Sequence, residues 1–191
     1  MFTSFSIARL SKAVPGLLLV AIATISPALA EVQSAQAGGF AIKLEVPVMA
    51  PPAEVYKTLV ERVSEWWHPT HTFSNDSTNL YIEDKAQGCF CERLDKGGSV
   101  QHMQVVFAAP GKLLRMQGGL GPLQSLGASG SLAWHLHAED GGTRLELRYN
   151  VAGYLADGLD AWAKPVESVL EEQLGRLKNL IETGKPELPG A

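Results

Sequence analysis

The run from Pro165 to Thr183 constrains this chain more than any other. Placed on a helix at about 100° per residue, Val166, Val169, Leu170, Leu174, Leu177, Leu180 and Ile181 fall in one arc. Leu159 and Trp162 join that arc if the helix is extended backward. Glu167, Ser168, Glu171, Glu172, Lys178, Asn179 and Glu182 fall outside it. A helix with one apolar face needs an apolar partner, and the alternating segments upstream are the candidates. Gln173 interrupts the arc. A polar side chain there requires a hydrogen-bond partner or a wet cavity. It is therefore read either as bonded to a neighbouring strand or as facing a ligand.

The upstream segments alternate with the period of strands. Phe40, Ile42, Leu44, Val46 and Val48 share one face, with Lys43 and Glu45 on the other. Pro51-Pro52 ends this strand and opens a helix over residues 53–63, with Val55, Leu59 and Val63 at helical spacing. Ser64 is placed to cap a second short helix carrying Trp66 and Trp67. Further strands are expected at 79–82, 88–94, 99–107, 113–118, 128–137 and 143–151. The last of these sets Leu145, Leu147, Tyr149 and Val151 against Arg144, Glu146, Arg148 and Asn150, one face dry and one wet. The glycine-rich stretch 119–127 (GLGPLQSLG) reads as a flexible flap. The fold class is thus α+β: a curved antiparallel sheet of about six to seven strands wrapped on a long C-terminal helix, with two short helices after the first strand. A gap between sheet and helix is a natural place for an apolar ligand.

The ends of the chain are expected to lie outside this domain. Arg9 and Lys12 precede an apolar run over 13–25, followed by Ala28-Leu29-Ala30. That is the pattern of a signal peptide cut after Ala30, and it implies a periplasmic or secreted protein. Residues 31–39 read as a flexible leader, 40–184 as the domain and 185–191, with two prolines, as a disordered tail. Removing the two basic residues of the leader takes the net charge from −4 to −6. With that balance and no Lys/Arg run, nucleic acid is not an expected partner. No later segment is long and apolar enough to be a membrane span, and the oligomeric state is not specified.

Three groups of residues bear on chemistry. Trp66, Trp67, His68, His71 and Phe73 crowd into eight positions. Their apolar bodies and polar edges suit the mouth of a cavity, although one Trp plugging the core would explain part of the pattern. Cys89, Cys91 and His102 fall on one face if 88–94 and 99–107 pair as a regular hairpin. Two thiolates and an imidazole suit zinc or copper, with His68 or His71 as a further ligand. Residues two apart on a strand have Cβ atoms roughly 6–7 Å apart, whereas a disulfide wants about 3.8 Å. A Cys89–Cys91 bridge would therefore need a bulge or a tight local turn, and free thiols, ligand-holding thiols and buried structural cysteines all remain open. Glu92 points opposite to the cysteines, with Phe90 and Leu94. It is read as a carboxylate lining the cavity, with a raised pKa if it acts as a general base alongside His71, or else as a surface partner of nearby basic residues.

The order of these elements, together with Pro51-Pro52-Ala53-Glu54-Val55-Tyr56, Trp66-Trp67-His68-Pro69, Gly88-Cys89-Phe90-Cys91-Glu92, Pro110-Gly111-Lys112-Leu113-Leu114-Arg115 and Gly142-Thr143-Arg144-Leu145, resembles the START-like or SRPBCC superfamily over about residues 40–183. Within it, the chain is similar to the branch of heat-shock-protein ATPase activators and polyketide cyclase-like proteins. The resemblance implies a helix-grip fold. It leaves function open among lipid and hormone binders, cyclases, hydroxylase domains and co-chaperones. The leading expectation is a binder of a small hydrophobic or amphipathic molecule, without a cofactor, lined by Trp66, Trp67, His68, His71, Phe73, Phe90, Glu92, Met116, Trp134, Tyr149 and Gln173. The alternatives are a cyclase or dehydratase using Glu92 and a histidine, and a metal or thiol protein using Cys89, Cys91 and His102.

Overall fold

The computed structural model describes residues 29–188. Eight strands form one antiparallel sheet: β1 (Leu29–Gln36), β2 (Gly39–Val48), β3 (Leu80–Ile82), β4 (Cys89–Arg93), β5 (Ser99–Ala109), β6 (Leu113–Gly118), β7 (Ser129–Glu139) and β8 (Gly142–Ala152). Their spatial order is β1-β2-β8-β7-β6-β5-β4-β3. Helices α1 (Pro52–Glu61) and α2 (Val63–Trp66) follow β2, α3 (Pro122–Ser125) lies between β6 and β7, and α4 (Ala163–Thr183) closes the fold. This is the expected α+β helix-grip arrangement, with one strand more than foreseen.

The added strand is β1, and it displaces the flexible leader expected at 31–39. It pairs along the free edge of β2, with Val32 opposite Ile42 and Glu31 opposite Lys43. Its sequence, LAEVQSAQ, shows no long apolar alternation, and over residues 31–36 Val32 is the side chain that packs on the core. Backbone pairing holds it, and backbone pairing leaves little trace in side chains. Of the expected signal peptide, residues 1–28 lie outside the described residues, and the expected cut after Ala30 falls inside β1. The tail also departs from expectation as far as Leu188. The Asn179 side-chain amide donates to the Glu187 carbonyl at 2.7 Å, and Leu188 packs over Gly175. Among the described residues, no helix is long and apolar enough to cross a membrane.

The core sits between the concave sheet face and α4. The inward residues of β2, β7 and β8 are buried as their alternation requires, among them Ile42, Leu44, Leu132, Trp134, Leu145, Leu147 and Tyr149. From α4 come Leu170, Leu174, Leu177 and Leu180. Pro165 lies in the first turn of α4, where its missing N–H costs nothing, and Gly184 ends the helix in the left-handed conformation. Arg62, rather than Ser64, occupies the N-cap of α2, without a side-chain cap.

Candidate functional site

The space left between sheet and helix lies at one end of the grip rather than along its middle. Trp66, Trp134 and Tyr149 fill the centre. Trp66 donates to the Leu59 carbonyl at 3.2 Å and meets the Trp134 ring edge-on at 5.9 Å, and the Tyr149 hydroxyl donates to the Gly118 carbonyl at 3.1 Å. Met116 is likewise core. Beyond this plug, a cavity of about 660 Å³ opens between the first two turns of α4, the loop 70–73 and the segment 120–125. That is within the size range of small-molecule sites. Trp67, Phe73, Leu120, Trp162 and Val166 supply apolar wall, and His71, His102 and Gln124 supply polar edges.

Of the residues expected to line a site, Trp67, His71 and Phe73 border this cavity. Phe90 stands behind it, meeting the Trp67 ring edge-on at 5.2 Å and the His102 ring at a tilt at 5.0 Å. Gln173 is fully buried and accepts from the His68 backbone N–H at 2.7 Å, so it anchors the loop to α4 and does not face a ligand. The walls at Val166 and Val169 belong to the apolar arc of the last helix. Leu120 and Pro122 come from the segment expected to be a loose flap. That segment instead folds into α3, with Leu123 buried, while Leu120 N–H donates to Tyr149 Oη at 3.2 Å. Leu123 is its one buried side chain, and one apolar side chain gives no periodicity to detect.

The geometry around Glu92 corrects three expectations together. β4 and β5 pair with Phe90 opposite Met103 and Cys91 opposite Gln101, so the register slips by one residue at His102. This bulge makes His102 and Met103 consecutive buried residues. His102 thereby leaves the cysteine face and points to Glu92, with Nε2 3.0 Å from a carboxylate oxygen. On β4 itself the Cα atoms of Cys89 and Cys91 stand 5.4 Å apart, and the two form a disulfide. A metal site on Cys89, Cys91 and His102 is thus excluded in this state: the sulfurs are spent and the imidazole faces elsewhere.

Glu92 is buried and accepts from the backbone N–H groups of Phe73 at 3.0 Å and Ser74 at 2.6 Å. Burial pushes its pKa up, but the hydrogen bonds from Ser74, Phe73 and His102 outweigh this and leave it below the ordinary carboxylate value. The raised pKa expected of a general base is not there. Burial lowers the His102 pKa against the opposing pull of Glu92, so a neutral imidazole donates Nε2–H to the carboxylate. Glu92 is an anchor that fixes the loop forming one wall of the cavity.

A sheet gripping a C-terminal helix, with a cavity at the helix N-terminal end, defines a START-like (SRPBCC) protein. A family model described as polyketide cyclase/dehydrase and lipid transport matches residues 40–182, and the chain belongs to that family. No curated protein matches it by sequence. Among solved structures, it is similar to a conserved protein of unknown function from Enterococcus faecalis, at 14% identity and a TM-score of 0.53, covering 82% of this chain and 78% of that one. CalU16 from Micromonospora echinospora shows 16% identity and a TM-score of 0.52, covering 83% of this chain and 88% of that one. The Aha1 dimer from Colwellia psychrerythraea shows 17% identity and a TM-score of 0.52, covering 76% of this chain and 98% of that one. At these identities the likeness is one of fold.

Proposed function

We propose that this protein binds a small hydrophobic or amphipathic molecule in the cavity beneath the first turns of α4. The observation that carries the reading is the cavity itself: about 660 Å³, walled by Trp67, Phe73, Leu120, Trp162 and Val166, with a few polar groups at its edge. Apolar walls supply affinity through surface removed from water, and sparse polar groups orient the guest. The family description, which joins cyclase and dehydrase activity to lipid transport, agrees with an apolar small molecule as the guest. Acid–base catalysis through Glu92 finds no support, because its oxygens are engaged by Phe73, Ser74 and His102.

The test is displacement of an environment-sensitive dye by fatty acids and aromatic polyketide-like compounds, alongside native mass spectrometry. Val169 lies on the cavity wall and is only half-buried. Val169→Trp fills the space, so binding should fall at least tenfold while circular dichroism stays unchanged. Equal affinity in the variant would refute the assignment. The protein is further proposed to work outside the cytoplasm, a reading supported by the Arg9/Lys12 and apolar leader pattern and by the Cys89–Cys91 disulfide. Cell fractionation with N-terminal sequencing of the mature chain tests it, and a chain retaining its first residues in the cytoplasm refutes it.

A further inference from the structure

Two histidines and a carboxylate converge at the rim of the cavity. The 3₁₀ turn Pro69–His71 sets His68 and His71 on one side, with ring centroids 5.9 Å apart, and Glu172 of α4 reaches them from the other. His71 Nε2 lies 3.0 Å from one Glu172 oxygen, and His68 Nε2 lies 3.9 Å from the other. The three donor groups fall within 4.8 Å of one another. Around an ion with bonds near 2.0–2.1 Å, tetrahedral ligand atoms stand about 3.4 Å apart. The observed separations bracket that value, and the three side chains, each about one-third exposed, have room to adjust.

We propose that His68, His71 and Glu172 form a binding site for a divalent transition-metal ion of the zinc class. The donor set, two imidazoles and one carboxylate, is borderline in softness and suits zinc, cobalt or nickel over magnesium or calcium. The outer contacts fit as well. His68 Nδ1 lies 2.7 Å from Thr70 Oγ1 and 3.3 Å from the Thr70 backbone N–H. Metal on Nε2 puts the proton on Nδ1, where Thr70 Oγ1 accepts it and the longer backbone contact is given up. The backbone carrying the ligands is already held: the His71 carbonyl accepts from Trp67 Nε1 at 3.0 Å, and the His68 N–H donates to Gln173 at 2.7 Å. Three protein ligands leave a position for water, as in sites whose ion exchanges or acts.

A second convergence, His135, His137 and Glu146, lies on the outer sheet face. There Glu146 already meets Arg148 at 2.6 Å and Lys43 at 3.4 Å, and these cations oppose a metal. That group serves as the control.

The experiment is equilibrium dialysis of untagged protein against zinc chloride, with metal measured by mass spectrometry. A parallel titration with cobalt follows the visible bands of a four-coordinate site. One zinc per chain is expected, with affinity falling at least tenfold in His71→Ala and in Glu172→Gln and unchanged in His137→Ala. Circular dichroism checks that each variant folds. Less than stoichiometric zinc on the parent protein overturns the proposal. So does unchanged affinity in both His71→Ala and Glu172→Gln, or loss of the ion in His137→Ala instead.

Discussion

Glu92 shows how far a single residue can be read from its neighbours in sequence. Its inward direction follows from the alternation with Phe90 and Leu94, and it is indeed buried. Its role does not follow, because that depends on Phe73 and Ser74, which reach it from another part of the chain. A side chain that receives two backbone N–H groups and an imidazole N–H works as an acceptor. In Glu92→Gln the amide keeps one acceptor oxygen and turns an NH₂ toward a donor. The variant should lose about 1–3 kcal/mol of stability, read as a lower urea midpoint at unchanged slope. A midpoint equal to that of the parent would show that the loop does not depend on this anchor. Gln173 has the same history. Its place within the apolar arc marked it as needing a partner, and the partner proved to be the backbone of His68.

The elements with strong periodicity, β2, β8 and α4, stand within a few residues of where the pattern put them. What escaped the pattern was local or backbone-borne: the bulge at His102, the edge strand β1 and the small helix α3. A one-residue slip reverses every later side chain on a strand, so a regular hairpin put His102 with the cysteines instead of with Glu92. On the opposite face of the sheet, β2 and β8 are joined by charge. Burial works to raise the Glu146 pKa, but the bond to Arg148, the network shared with Glu45 and the charge of Lys43 hold it at about 2. A carboxyl depressed in the fold contributes stability above its unfolded value near 4.5, and that contribution is lost as pH falls toward 2. At most about 3 kcal/mol is involved. Urea midpoints measured across this window should fall with pH, and Glu146→Gln should flatten the fall. An equal slope in the variant would place the acid sensitivity elsewhere.

For the molecule as a whole, sheet-on-helix architecture followed from the arithmetic of apolar faces, since one amphipathic helix and several half-dry strands have few ways to cover each other. The position of the cavity did not follow, because it depends on which large side chains interdigitate. Trp66, Trp134 and Tyr149 were plausible as walls and are instead the plug that closes the middle. The strand order carries a consequence of its own. The second strand of the chain is sandwiched in the sheet against the eighth, with Phe40 across from Val151 and Val48 across from Thr143. A growing polypeptide thus offers its early residues no mate on that side until nearly the full length exists. Closing so wide a circuit costs chain entropy before any contact repays it. Assembly therefore belongs to the slow regime of non-local topologies, roughly milliseconds to seconds, and fragments ending short of the eighth strand leave a hydrophobic seam open.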